Sequence, residues 1–238
     1  MRSLSDVRWI GGGSGAGKST VAALLGARHG VPVVSTDLSL RDHAAAAAGT
    51  ASVDAFVGMS MDERWVRRDP EAMLETFPWF RGAGFDLLLD ALPPQRPLLV
   101  EGFRLLPHLV APLLGPERRA VWLLPTPAVR ERAFASRAEE GRAFWERTSD
   151  PARALANVLE RDRLFTQRLR RECAVLDLPV IEVDGGLDAE EVADRTAAVL
   201  GLRPRPASGP DGARSAAGWY HPRNASGSGD TATVRTRR

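Results

Sequence analysis

Five short apolar runs recur along the first 203 residues, separated by stretches whose apolar positions are spaced for helices. They are VRWIG (7–11), VPVVSTD (31–37), RPLLVEG (96–102), RAVWLLP (119–125) and PVIEVDG (179–185). Each is dominated by Val, Leu or Ile and stops on Gly, Asp or Pro, the punctuation of a strand-to-helix turn. The segment KSTVAALLGARHG behind the first run reads as a helix that stops at Gly30. Near-continuous apolar strands alternating with helices predict a parallel sheet covered on both faces. The expected fold is therefore a doubly wound five-stranded α/β domain with its ligands at the carboxyl ends of the strands.

Two intervals exceed a simple crossover. Residues 38–95 begin with an alanine-rich helical stretch, DHAAAAAG. Trp65, Phe77, Trp79, Phe80 and Phe85 then interleave with Arg64, Arg67, Arg68 and Arg81. Residues 126–173 read as largely helical, with Arg130, Arg132, Arg137, Arg142 and Arg147 ahead of ERDRLFTQRLRRE. Most of these residues are expected to serve core packing or solvated helix faces. Arg161 and Arg163 in particular are expected to pair on a helix surface with Asp162 and Glu160. Residues 204–238 are rich in Pro, Gly, Ser and Arg, lack apolar periodicity, and are expected to be disordered. The domain reading is thus one unit over 1–203, with an insert at 38–95 and a lid region at 126–173, followed by a tail at 204–238.

Charge and composition narrow the classes. The tail carries six arginines against two aspartates, a charge of +4, so the body is at −2 and the chain's formal +2 comes from the tail. That argues against specific nucleic-acid binding by the folded part. No run of about 18 apolar residues appears, and MRSLSDVRWI lacks the apolar stretch of a signal peptide, so no membrane contact is expected. A lone cysteine, Cys173, suits a reducing cytoplasm. The four histidines are scattered without metal-ligand spacing.

The chain holds 32 basic residues, and Lys18 is the only lysine among them. It sits in GGGSGAGKST, which matches the phosphate-loop pattern G-x-x-x-x-G-K-[ST] through Gly12, Gly17, Lys18 and Ser19. Glycines let successive backbone N–H groups turn inward to cradle an anion, and the following helix points its positive end at the same place. Residues 12–20 (Gly12, Gly13, Ser14, Gly15, Ala16, Gly17, Lys18, Ser19 and Thr20) are the expected nucleotide cradle. Lys18 supplies a compact charge to the phosphates where arginine's wide fork does not fit. Ser19 offers a hydroxyl to Mg²⁺.

Two carboxylates follow at strand ends. Asp37 closes the second run, where it can take a proton from an attacking hydroxyl or hold magnesium-bound water; capping the next helix is its plainer role. Glu101 closes the third run, placed to orient the magnesium shell. Arg104 follows, within reach of an acceptor's anionic group. Together with the phosphate loop these features resemble the P-loop small-molecule kinases, a group within the P-loop NTPases that includes nucleoside, nucleotide, gluconate and shikimate kinases. The resemblance implies Mg·ATP as cofactor, Asp37 as base and arginines from a helical lid, here Arg132 and Arg137. It also implies an acceptor site in the insert, with Arg64, Arg81 and Arg104 as candidates. The chain departs from nucleoside monophosphate kinases in lacking their aspartate-arginine signatures, and its lid lacks a zinc-binding cysteine tetrad.

The expected activity is ATP-dependent phosphoryl transfer to a small-molecule hydroxyl or phosphate. The competing reading is a regulatory ATP-binding module with slow hydrolysis and a protein partner docked on the insert or the tail. A GTPase with the usual N-K-x-D base motif is excluded by the want of a second lysine.

Overall fold

The computed structural model describes residues 4–38, 45 and 49–203. Most of the alanine-rich segment 42–49 and all of the 204–238 tail lie outside the described residues. Along the chain run β1 (Val7–Gly12), α1 (Lys18–His29), β2 (Val33–Ser35), α2 (Ala51–Gly58), α3 (Met61–Trp65), α4 (Pro70–Thr76) and α5 (Phe85–Asp90). They are followed by β3 (Leu98–Glu101), α6 (Pro107–Val110), β4 (Ala120–Pro125), α7 (Pro127–Glu139), α8 (Pro151–Val175), β5 (Val180–Val183) and α9 (Ala189–Val199). Four of the five strands fall inside the apolar runs read from the sequence, and β1 extends one residue past its run, to Gly12. No helix among the described residues is long and apolar enough to cross a membrane.

The strands form one sheet in the order β2-β3-β1-β4-β5, and every pairing is parallel. The doubly wound α/β fold expected from the strand pattern is the fold observed. Strand residues alternate between two cores, as a period of two requires. Trp9, Leu98, Val100, Trp122 and Leu124 point to one face, where they meet Phe165 and Leu169 of α8 and the aromatic residues of the insert. Ile10, Leu99, Val121 and Leu123 point to the other, where they meet Val21, Ala22 and Leu25 of α1 and Val192 and Ala193 of α9.

The strand order creates the site. From β1 the chain crosses past the position of β3 to form β2, returns to β3, then crosses β1 to form β4. Successive connections therefore wind in opposite directions, and a crevice opens beyond the carboxyl ends of β1 and β3. Register places Glu101 level with Ile10 on one side and Ser35 on the other. The phosphate loop begins just after Ile10, and Asp37 lies two residues beyond Ser35.

Candidate phosphoryl-transfer site

Gly12 ends β1 at φ +134°, and a side chain there would collide with the carbonyl of Leu123 on β4. Only glycine lets the chain turn away from the sheet at this point. The loop then runs over residues 13–17 into α1, whose first residue is Lys18. The Lys18 ammonium curls back and donates to the Gly13 carbonyl at 2.9 Å. Only 7 % of the residue is exposed. Burial lowers its pKa, and the negative charges of Asp37 and Glu101 oppose that shift. A buried cation within the field of two carboxylates, beside a glycine-rich turn and a helix N-terminus, is an arrangement that can bind phosphate.

The next residue links loop to sheet. Ser19 Oγ donates to Glu101 Oε1 at 3.1 Å. Glu101 is fully buried, and its Oε2 has no hydrogen-bond partner among the described residues. Burial, then the charge of Asp37, pushes the Glu101 carboxyl up, while Lys18, Ser35 and Ser19 pull it down. A buried carboxylate oxygen without a partner, beside a hydroxyl and a second carboxylate, is a set of hard oxygen donors that fits Mg²⁺. No group of three or more His, Cys, Asp or Glu among the described residues could hold a metal alone. Magnesium is commonly held by one or two protein oxygens together with substrate phosphates and water.

Asp37 stands across the crevice. Its side chain is open to solvent in the cleft, yet crowding by surrounding protein pushes its carboxyl up. Lys18, the Thr36 hydroxyl, the Phe103 backbone N–H and Arg104 oppose that shift. Thr36 Oγ1 donates to Asp37 Oδ1 at 3.2 Å. Gly102, at φ +150°, permits this approach, because a side chain there would strike Thr36 and Asp37. Most residues of the segment after Asp37 lie outside the described ones, so its alternative role as a helix cap has no counterpart here.

The arginines of 126–173 separate by role. Arg130 is buried and donates to the Thr166 hydroxyl, locking α7 to α8. Arg132 is exposed and lies against Gly185. There it lines a cleft of about 220 Å³ with Gly17, Thr20, Val129, Val183 and Leu187. This mostly apolar cleft, beside the loop and at the end of β5, has room for a planar base. Arg137 is half-buried with its guanidinium 4.6 Å from the Phe134 ring centroid. The guanidinium makes no hydrogen bond or ion pair among the described residues, and its charge reaches Lys18 and Asp37. Arg142 pairs with Glu140 at the surface.

The arginines named for the acceptor are engaged with the insert itself. Arg64 donates to the Phe56 and Val57 carbonyls, at 3.1 and 2.5 Å. Arg81 is exposed and donates to the Glu75 carbonyl at 3.2 Å. Arg104 is buried and bonds the Gly84 and Thr36 carbonyls, at 2.9 and 3.4 Å; burial lowers its pKa to about 10.

Sequence reading passed over α8. Arg163 and Glu160 make the surface pair expected of them, with both nitrogen–oxygen distances 2.7 Å. Arg161 and Asp162 also pair, at 2.9 and 2.6 Å, but both are buried. Thr166, one turn on, abuts Gly13 of the phosphate loop. The signal was the apolar spacing Val158, Phe165, Leu169, which puts Arg161 and Asp162 on or beside the inward stripe.

No family model matches the chain, and no curated protein matches it. Among solved structures it is similar to the YorR protein of Bacillus subtilis, crystallised in complex with phosphorylated GDP. The identity is 15 % and the TM-score 0.41, over 82 % of this chain and 96 % of that one. It is also similar to TT1252 from Thermus thermophilus at 22 % identity and TM-score 0.41, over 82 % of this chain and 97 % of that one. Likeness of this degree says nothing about what the chain does.

Proposed function

We propose that this protein is a phosphotransferase that moves the γ-phosphoryl group of Mg·ATP to a small-molecule acceptor. The observation that carries the reading is the convergence of Lys18, Ser19–Glu101 and Asp37 on one crevice at the switch point of the sheet. In this reading Asp37 accepts the proton of an acceptor hydroxyl as that oxygen forms its bond to phosphorus. The bond between phosphorus and the oxygen bridging to the β-phosphate breaks, and ADP leaves.

Lys18 and the loop N–H groups balance the charge that spreads over the phosphoryl oxygens. Arg137 has no competing hydrogen bond or ion pair among the described residues and adds to that balance. Arg132 covers the nucleotide base at the other end of the cradle. Ser19 and Glu101 would hold Mg²⁺, and the ion would supply neutralisation of phosphate charge. Asp37 supports a base rather than a ligand-only role because it is open to the cleft, whereas Glu101 is sealed beneath it.

The test is equilibrium binding of Mg·ATP to wild type and Lys18→Ala, read by a fluorescent ATP analogue. The reading expects binding by the wild type and a loss of about tenfold or more in the variant. Equal affinity in both would overturn the assignment of the cradle.

A further inference from the structure

Toward the insert, α8 presents Asn157, Arg161 and Phe165 one turn apart. Asn157 Nδ2 donates to the carbonyls of Trp65, Val66 and Arg68 at 3.0 to 3.3 Å, fixing the end of α3. Phe165 stacks on Phe80 with centroids 3.7 Å apart. Between them the Arg161 guanidinium lies 5.2 Å from the Trp65 ring, 4.9 Å from Phe77 and 5.2 Å from Phe80.

This cage adjoins the reacting centre. The backbone N–H of Phe103 bonds Asp37, and the Phe103 ring lies 6.3 Å from Phe77 and 5.8 Å from Phe80. The charge of Asp162 reaches Lys18 and Arg137. Trp65 and Phe103 are half-buried, whereas Phe77 and Phe80 are buried.

Two atoms inside it lack partners among the described residues. Arg161 bonds Asp162 Oδ1 through Nε and one terminal nitrogen, leaving Nη1 unsatisfied, and Asp162 Oδ2 is unsatisfied as well. Arg161 is 6 % exposed and Asp162 1 %. Leaving a charged group's donor and acceptor both unmet in a buried site is costly, so such atoms call for a partner that supplies one acceptor and one donor. The pair is neutral as a whole. The cations around it are engaged: Arg64 and Arg104 by carbonyls of their own neighbourhood, Arg68 by the Ala72 carbonyl at 2.8 Å and Arg130 by the Thr166 hydroxyl. Arg137, which feels the charge of Asp162 and has no side-chain partner among the described residues, is assigned above to the transferred phosphoryl group, so an anionic acceptor would compete with that group for it.

We propose that the Arg161–Asp162 pair and its aromatic cage are the acceptor subsite, and that they select a neutral ring bearing hydroxyl groups over an anionic acceptor. One polar group of the ring accepts from Arg161 Nη1 and donates to Asp162 Oδ2. Its flat or C–H face lies against Trp65, Phe77 and Phe103. Another hydroxyl points to Asp37. The inference rests on the phosphotransferase reading for the word acceptor, but the subsite itself does not need turnover to be detected.

The test uses the full chain and two arms of probes, uncharged nucleosides and uncharged monosaccharides, each set beside its phosphate ester. Binding is read first, without ATP, by quenching of tryptophan fluorescence, with Trp65→Phe identifying the share due to Trp65. ADP release from Mg·ATP is read second. The expected result is saturable quenching by one uncharged arm, at least tenfold weaker for its phosphate ester. Asp162→Asn, which turns the acceptor atom into a donor, should weaken that binding about tenfold or more. Trp65→Leu at the half-buried rim, less exposed to a folding defect, should weaken it several-fold. Quenching by no uncharged probe, tighter binding of the esters, or affinity unchanged in both variants would overturn the subsite. Binding that obeys these rules without any stimulation of ADP release would leave the subsite standing and remove the phosphotransferase reading instead.

Discussion

The two faces of the sheet are built from different chemistry. The face under α1 and α9 is mostly aliphatic, from Ile10, Leu25, Val33, Val121 and Leu123 to Ala193 and Leu200, with a single buried arginine, Arg8, donating to the Leu200 carbonyl at 3.2 Å among the described residues. The face under α8 and the insert is aromatic and carries buried charges, with Arg104, Arg130, Arg161 and Asp162 all at 6 % exposure or less. Burying a charge is costly unless it is paired and hydrogen-bonded, so a face that needed only stability would do better with leucine. The aliphatic face fixes α1, and with it the phosphate loop. The aromatic face holds the groups proposed above for the acceptor. On that proposal, the difference separates what positions the cradle from what reads the acceptor.

The sharpest way to break this division is at its boundary. Asp37→Asn keeps size and hydrogen bonding but cannot take a proton, so phosphoryl transfer should fall by about 10² to 10⁴ while ATP affinity stays near wild type. Retained transfer, measured as phosphorylated product per enzyme, would remove Asp37 from the base role. On the aliphatic face, Leu25→Ala empties a fully buried site on α1. It should cost about 2–5 kcal/mol in urea unfolding while acceptor selectivity is unchanged.

The lid arginines should divide in the same manner. Arg137→Ala should lower kcat by about tenfold or more with little change in the KM for ATP. Arg132→Ala should raise the KM for ATP several-fold with kcat nearly intact. Identical effects from both would mean that one face of α7 serves both ends of the nucleotide.

The smallest effect is in pH. Glu101 titrates above the ordinary glutamate value of 4.5 in the folded chain, because of burial and then Asp37. The folded state therefore binds more protons than the unfolded state above that value. The stability this confers is full below about pH 4.5 and is lost as pH rises through the raised folded value. Glu101→Gln should remove that slope and raise the melting temperature of the ligand-free protein at neutral pH, while lowering magnesium-dependent turnover. A variant with the wild-type pH profile of melting would place the shift elsewhere.

The fold was legible because strands buried on both faces read as unbroken apolar runs, and because the loop's spacing of Gly12, Gly17, Lys18 and Ser19 is too particular for a chance turn. Asp37 and Glu101 were legible as carboxylates at strand ends, which a parallel sheet brings together. The acceptor side was not. In ERDRLF, four charged residues in a row look like a solvated helix face. Arg161 and Asp162 are buried only because Trp65, Phe77 and Phe80, more than 80 positions earlier, close over them. Arg132 and Arg137 look equivalent in ERAFASR, yet they lie about 140° apart around α7, so they meet different ends of the cradle. What escaped the sequence in both cases was the direction a charged side chain takes once distant elements have packed.

The measurement that bears most directly on the central claim is ADP release from Mg·ATP by the purified protein, alone and with a pooled small-metabolite fraction, with Lys18→Ala as the blank. A phosphotransferase predicts release stimulated by the pool and absent in the blank, with a phosphorylated product recoverable from it. A slow rate that no metabolite changes would contradict the claim and leave a nucleotide-binding module whose partner is a protein.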